Sequence, residues 1–317
     1  MGGGGGGDGD GEEREFRHEP VLLAEVLRDL GPKPGGLYLD CTIGGAGHAE
    51  AILGAADGSR LIGIDRDARA VELGGERLGR FGDRVELHHG RFEDMKTVLA
   101  GRRPDGILMD LGVSSRMFDD PSRGFSFRFD GPLDMRMDVS QKLTASEIVN
   151  KWDEAELARI FREYGEERFS KRIARLVVRG REITSTLQLA DLVASAYPKG
   201  RQRIHPATRV FMALRIAVNG ELDRLGDALR DAVDCLAEGG RLAVITFHSL
   251  EDRIVKRAFA ALAVGCVCPP RIPVCVCGHK ALVRLVRRKP VAPSDDETAA
   301  NPRSRSALLR VVEKEAA

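Results

Sequence analysis

From Leu37 to Leu111 the chain repeats one unit, a short apolar run followed by a stretch with helical spacing, and then the unit stops recurring for about a hundred residues. The runs Leu37–Asp40, Leu61–Asp65, Val85–His88 and Ile107–Leu111 read as strands. Residues 46–54, Ala68 to about Leu78, and 94–100 read as the helices between them. Strands that alternate with helices fold as a parallel sheet covered on both faces. A further helix is expected from Pro20 to Leu30, with Val21, Leu22, Val26, Leu27 and Leu30 on one face and Gly31, Pro32 and Pro34 ending it. Between 118 and 218 no strand is legible. A structureless loop of that length inside a compact domain is improbable, so an inserted element is expected. Thr144 with Glu147, and Asp153 with Glu156, have capping-box spacing. Gly165 and Gly180 read as helix stops, Pro198 closes another helix, and Pro206 suits a first helical turn. The alternation resumes with the strand Arg241–Phe247 and a helix from Glu251 to about Leu262. Residues 281–288 and 307–313 are expected to add two final strands around a flexible polar stretch. The expected organisation is an α/β domain of residues 16–117 and 219–317, interrupted by a mainly helical, basic domain at 118–218. The Gly-rich acidic segment 1–15 is expected to be a disordered tail.

The net charge of +1 conceals an asymmetry. Between Arg159 and Arg215 there are thirteen Arg or Lys against five Asp or Glu, so the rest of the chain sums to −7. A basic module on a neutral or acidic body suits a polyanion, and nucleic acid is favoured over solvated helix faces that serve solubility alone. No apolar run approaches the ~20 residues of a membrane helix. Gly2 to Gly7 and the acids after them lack a signal-peptide pattern, so a cytoplasmic location is expected, with no membrane partner.

The chemistry concentrates where strands end. Asp40 closes the first strand and leads into Cys41-Thr42-Ile43-Gly44-Gly45-Ala46-Gly47-His48, a glycine turn that opens a helix. Such a turn lets a ligand approach the backbone. Asp65 closes the second strand, where an acid accepts hydrogen bonds from ribose hydroxyls. A dinucleotide fingerprint wants Gly or Ala at the position of Glu50, whose charge would face a pyrophosphate. An acid at Asp40 suits a cationic ligand instead, which favours S-adenosylmethionine over NAD. Phe92 follows the third strand and either flanks an adenine or packs as core. Asp110 closes the fourth strand and points at the site where ligands of open α/β sheets bind.

The stretches Asp110 to Ser115, RGFSFRFDGPLDMRMD from Arg123, Tyr164 to Arg175, His205 to Arg209 and FHSLEDRIVK from Phe247 carry a resemblance. Over roughly residues 16–315 the chain is similar to the MraW-type family of 16S ribosomal RNA cytosine-N4 methyltransferases. The resemblance implies a class I, Rossmann-like methyltransferase domain with a helical insertion. It also implies S-adenosylmethionine as cofactor, and one cytosine in the decoding region of 16S ribosomal RNA in the small subunit, rather than DNA, as target. Family cofactor contacts map to Gly45, Ala46, Gly47, His48, Asp65, Phe92, Asp110 and Met117, where the family commonly has Gln at the last. An RNA-binding assembly factor with an idle site is the second reading.

Asp110 lacks the two prolines and the aromatic that follow the fourth strand in many amino-methyltransferases, so Phe125, Phe127 and Phe129 are weighed as a stacking surface or as core. Asp134, Arg136 and Asp138 form a polar cluster, and His248, Ser249 and Glu251 another at a strand end. Asp110, Asp134 and His248 are the candidate contacts to the target amine. Arg168, Lys171, Arg172, Arg175, Lys199, Arg201, Arg203 and Arg209 are the candidate phosphate contacts. Cys266, Cys268, Cys275 and Cys277 form two Cys-x-Cys pairs, tighter than a usual zinc knuckle, so thiols without metal are expected ahead of zinc. Trp152 reads as core.

Overall fold

The structure, a computed structural model, describes residues 20–198, 200, 204–269, 274 and 276–316. The tail expected at 1–15 therefore lies outside the described residues, as do Lys199, Arg201, Arg203 and Cys275. After α1 (Leu23–Leu30) come β1 (Leu37–Asp40), α2 (Gly47–Ala55), β2 (Arg60–Asp65), α3 (Ala68–Leu78), β3 (Val85–His89), α4 (Met95–Leu99) and β4 (Gly106–Asp110). Six helices then follow without a strand among the described residues: α5 (Ser115–Asp119), α6 (Ala145–Lys151), α7 (Glu154–Glu163), α8 (Ser170–Arg179), α9 (Thr186–Ser195) and α10 (Ala207–Asn219). The chain closes with α11 (Leu225–Cys235), β5 (Arg241–Thr246), α12 (Ser249–Leu262), β6 (Val283–Leu285), α13 (Asp295–Ala300) and β7 (Leu308–Lys314).

The strands form one seven-stranded sheet in the order β3-β2-β1-β4-β5-β7-β6. β1 to β5 are parallel, and β7 is antiparallel to both β5 and β6. Side chains alternate between its faces, as the pleat requires. Leu108, Ala243 and Ile245 join Val26, Ile52 and Leu53 of α1 and α2 on one side. Ile107, Met109, Leu242 and Val244 join Leu229 and Val233 of α11 and Phe259 of α12 on the other. Both faces are thus buried, which is why the central strands read as continuous apolar runs.

Helices α6 to α10 pack around a separate apolar cluster that includes Ile148, Phe161, Ile173, Leu189 and Leu214. Their ends use the expected caps. Thr144 Oγ1 accepts from Glu147 N at 3.2 Å and Asp153 Oδ1 from Glu156 N at 2.8 Å. Gly180 ends α8 and Pro206 precedes α10. Trp152 ends α6 and packs partly buried against the same cluster.

Two differences from the sequence reading stand out. The polar stretch expected to be flexible holds α13 and a tight helical turn at Pro302–Ser306, anchored where Glu297 Oε1 accepts from Leu22 N at 2.8 Å. The run 281–288 contributes only three residues of strand, because β6 is a sheet edge paired on one side. Among the described residues no helix is long and apolar enough to cross a membrane.

Arg123 ties the loop after α5 to the sheet domain. Its Nη1 donates to Asp67 Oδ2 at 3.1 Å, and its Nη2 donates to the carbonyls of Arg136 and Met137 at 2.9 and 3.0 Å. Arg123 and Asp67 are 8% and 7% exposed, so removing one leaves the other's charge buried. Arg123→Met is expected to cost about 3 kcal/mol of stability, read as a lowered urea midpoint.

Candidate active site

Strand order reverses between β1 and β4, so the loops that leave their carboxyl ends diverge and open a crevice. A cavity of about 750 Å³ occupies it. It is lined by the turn after β1 with Asp65, Phe92 and Asp110, and by Met137, Phe211, His248 and Glu251. Gly45, Gly47, His48 and Met117 also line it, whereas Ala46 is fully buried behind the turn.

The turn after β1 is shaped by its backbone. Gly44 has φ +49° and Ala46 φ +58°, left-handed conformations, and Ala46 N closes the turn by donating to the Ile43 carbonyl at 2.6 Å. Gly44 N donates to Asp65 Oδ2 at 2.8 Å, and Asp67 N donates to Oδ1 at 2.8 Å, which fixes the Asp65 carboxyl at the cavity edge. Gly47 serves packing: a Cβ there would lie 2.3 Å from Pro20 Cγ. Glu50 pairs with Arg77 at 2.6 Å and Arg80 at 2.8 Å. Its charge is therefore matched, and repulsion of a pyrophosphate is not what selects the ligand.

The buried acids are. Burial pushes Asp40 up to about 7, with the Asp65 charge adding to the shift and bonds from Thr42 opposing it. Burial likewise pushes Asp110 up to about 8, reinforced by Asp40 and Glu251. Burial raises Asp65 as well. The Thr42 hydroxyl joins the two strand ends, accepting from Asp110 N at 2.7 Å and donating to Asp40 Oδ1 at 3.3 Å. Asp110 Oδ1 is buried with no hydrogen-bond partner among the described residues. Three acids gathered where water is scarce favour a cation, and an unpartnered carboxylate oxygen is a place for one. This donor set fits S-adenosylmethionine, which carries an ammonium and a sulfonium.

His48 stands beside Asp110. Burial drives its ring down to about 4, so it is neutral. Its Nε2 lies 3.0 Å from the Val21 carbonyl, which only accepts, so Nε2 carries the proton. The bare Nδ1 then lies 3.7 Å from Asp110 Oδ2.

In the first turn of α12, after β5, Glu251 is buried. Burial alone would raise it, but the His248 ring, Arg215 and the Phe247 amide outweigh that and hold it below its ordinary value. Arg215 reaches Glu221 with two bonds of 2.9 Å. His248 Nε2 is 3.0 Å from Glu251 Oε1 but poorly aligned, and is left without a hydrogen-bond partner among the described residues.

Asp134 is not in the cavity lining. Both its oxygens accept from Arg136, at 2.9 and 2.7 Å, and Arg136 also donates to the carbonyls of Val139 and Gln141. Asp134 and Arg136 thus hold each other and their own turn. The phenylalanines separate likewise: Phe125 lines the cavity, Phe127 packs on His205 and Phe211, and Phe129 is 63% exposed. The sequence reading did not mark Asn219, Arg215, Phe211 or Arg303. Arg215 and Phe211 sit on α10 at helical spacing, but only the fold turns that face to the cavity. Arg303 reaches back to Asp119 and to the Ser115 carbonyl from a polar segment without periodicity.

The sequence pattern of the MraW methylase family matches residues 15–315. The chain belongs to the MraW methylase family. It is 53% identical over 309 residues to the ribosomal RNA small subunit methyltransferase H of Symbiobacterium thermophilum, covering 94% of this chain and 97% of that one. The protein of the same name from Pelobacter propionicus is 52% identical, with 94% and 99% covered. Among solved structures, an rRNA methylase from Streptococcus thermophilus aligns over 93% of this chain and 94% of its own, with 12% identity and a TM-score of 0.39.

For this MraW-family chain the raised acids set a pH dependence. In the free protein Asp110 holds its proton up to about pH 8. A bound cation favours the carboxylate, so binding releases protons and tightens as pH rises toward that value. The affinity for S-adenosylmethionine is expected to rise about tenfold between about pH 6 and about pH 8, measured by calorimetry. S-adenosylhomocysteine, which lacks the sulfonium charge, is expected to show a smaller rise. Equal slopes for the two would show that the acids do not sense that charge.

Proposed function

We propose that this chain transfers a methyl group from S-adenosylmethionine to N4 of one cytosine in the decoding region of 16S ribosomal RNA, with the small ribosomal subunit as substrate. The observation that carries the reading is the continuity of the cavity. The strand-end acids Asp65 and Asp110 and the polar groups of α10 and α12 face one space, so a cofactor and a base have room to meet. The likeness to relatives named for ribosomal RNA methylation supports the substrate class, and the family resemblance supplies the atom and the nucleotide.

The turn Gly45-Ala46-Gly47-His48 supplies backbone contacts, Asp65 takes the ribose hydroxyls, Phe92 flanks the adenine, and Met117 contributes an apolar contact. When bound, S-adenosylmethionine supplies a methyl group on a sulfonium, a good leaving group. The chain has to hold the cytosine amine in line with that methyl and keep the geometry rigid. The amine is a poor nucleophile because its lone pair is delocalised into the ring. Asp110 accepts one of its N–H groups and takes up the proton released after transfer, a role suited to a group that titrates near neutral pH. His248 offers the second polar contact from the end of the neighbouring strand β5. Asp134 acts indirectly, by fixing the turn that presents Met137. Phe125 is the wall against which the base packs.

Phosphates are held by the outer face of α8, where Lys171, Arg172 and Arg175 are exposed, together with Arg168 before it and Arg209 on α10. Arg159 and Arg162 are already paired with Glu156 and Glu163 and contribute less.

Incubation with labelled S-adenosylmethionine and small subunits lacking the modification is expected to yield labelled N4-methylcytidine on digestion. No label despite cofactor binding would discard the substrate, and no binding would restore the idle assembly factor. Asp110→Asn and His248→Ala are each expected to slow transfer by about a hundredfold or more. Rates within a few-fold of the parent would remove those residues from the chemistry. Replacing Lys171, Arg172 and Arg175 together by Gln is expected to flatten the plot of log affinity against log salt by about two. An unchanged slope would place the RNA elsewhere.

A further inference from the structure

We infer that Cys266, Cys268 and Cys277 bind a zinc ion that organises the loop between α12 and β6. The loop is pinched at its base, where Leu282 N donates to the Leu262 carbonyl at 2.9 Å. Leu262 and Val283 on either side are buried in the sheet core. Between them no described residue belongs to a helix or strand. Its described valines stay in solvent, with Val264, Val267, Val274 and Val276 38%, 59%, 70% and 76% exposed. A segment whose described residues form neither secondary structure nor a core needs another source of order, and small coreless units take it from a metal or a disulfide.

The sulfurs are arranged for the metal. One sulfur atom from each of the three cysteines lies within 4.8 Å of the other two. The Cys266 and Cys277 sulfurs are 3.8 Å apart. A tetrahedral zinc site with Zn–S bonds of about 2.3 Å has an S···S edge of about 3.8 Å. A disulfide would instead draw two sulfurs to about 2 Å. Backbone amides point at two of the sulfurs, Val276 N at Cys268 Sγ and His279 N at Cys277 Sγ, both at 3.4 Å. Such N–H···S contacts stabilise thiolates and hold them as ligands. An all-sulfur set is soft, which selects zinc over magnesium or calcium. The short Cys-x-Cys spacing argues against zinc in the sequence alone, but coordination depends on distance in space, and these three converge. None of these three cysteines lines the cavity, so the site is separate from the methyl-transfer chemistry. On binding, each ligating thiol gives its proton to solvent as its bond to zinc forms, and nothing is oxidised.

The test uses the full chain purified under reducing conditions without chelators. Elemental analysis is expected to find about one zinc per chain. The double variant Cys266→Ser with Cys277→Ser is expected to retain less than about a tenth of that, while Cys235→Ser, on α11, keeps it. Far-ultraviolet circular dichroism checks that the double variant is folded. Should it fail to fold, the parent chain still decides the matter. Cobalt added to metal-stripped protein is expected to give the near-ultraviolet charge-transfer band of tetrahedral thiolate ligation. Wild-type protein that takes up no zinc from an equimolar solution, or that carries disulfides among these cysteines in its intact mass, would overturn the inference.

Discussion

The carboxyl ends of β1 and β4 lie side by side, and the chain leaves them in opposite directions. Neither loop is able to close the gap, because each must carry the chain to the far side of the sheet. Asp40 pairs in register with Leu108, two residues before Asp110, so the two acids share a recess at the sheet's end. In that low-dielectric space they cannot both ionise cheaply, and burial lifts them to about 7 and about 8. The site is thus held partly protonated until positive charge arrives. The electrostatic preference for a cationic cofactor is a property of strand order before it is a property of any loop.

The helices between β4 and β5 add Phe211 and Arg215 to the lining of this crevice, and their attachment is polar. Asn219, at the end of α10, uses its whole amide: it donates to the carbonyls of Met135 and Arg215 and accepts from Met137 N, at 2.8, 2.9 and 2.8 Å. Arg123 grips the same segment from the other side through the Met137 carbonyl. Between them they fix Met137 in the wall, and Met135 in a left-handed conformation that few side chains adopt. The run DGPLDMRMD is therefore dense in charge for an internal reason. Its acids and arginine satisfy one another and the backbone around a turn that has to stay in place.

Much of the sheet domain was legible because its signals are local. Strands β1 to β4 are apolar runs that close on an acid or a polar residue, so a strand-end acid such as Asp65 or Asp110 is placed by counting. Capping by Thr144 and Asp153 is equally local. What stayed hidden depends on tertiary context. The helix α13 is acidic, with no buried residue, so it leaves no periodicity to read, and it is held by one bond from Glu297 to Leu22 across the whole sequence. Helix α11 has apolar residues at Leu225, Ala228, Leu229, Ala232 and Val233, a readable helical face, yet it lay in the shadow of the strand that follows. The pairing of Asp134 with Arg136 was not legible either, because a charged turn and a charged site have the same composition.

Helix α12 joins the parts that the sheet alone does not. At its first turn Glu251 caps the helix and accepts from Phe247 N at 2.8 Å, which sets the backbone that presents His248 to the cavity. One face is bound to the sheet through Asp252 and Arg310, at 2.7 and 3.0 Å. Another is bound to the insertion, where Glu166 accepts from Ser249 at 2.7 Å and from Arg253 at 3.1 Å. Its last turn leads into the cysteine loop. Fourteen residues of helix span about 21 Å. That length is too great for a metal at the far end to act electrostatically on His248 through solvent, whose screening length is about 8 Å. It is short enough for a rigid element to transmit position. The cysteine loop therefore bears on the active site only by how firmly it seats the end of α12, while the geometry of His248 is set locally by Glu251.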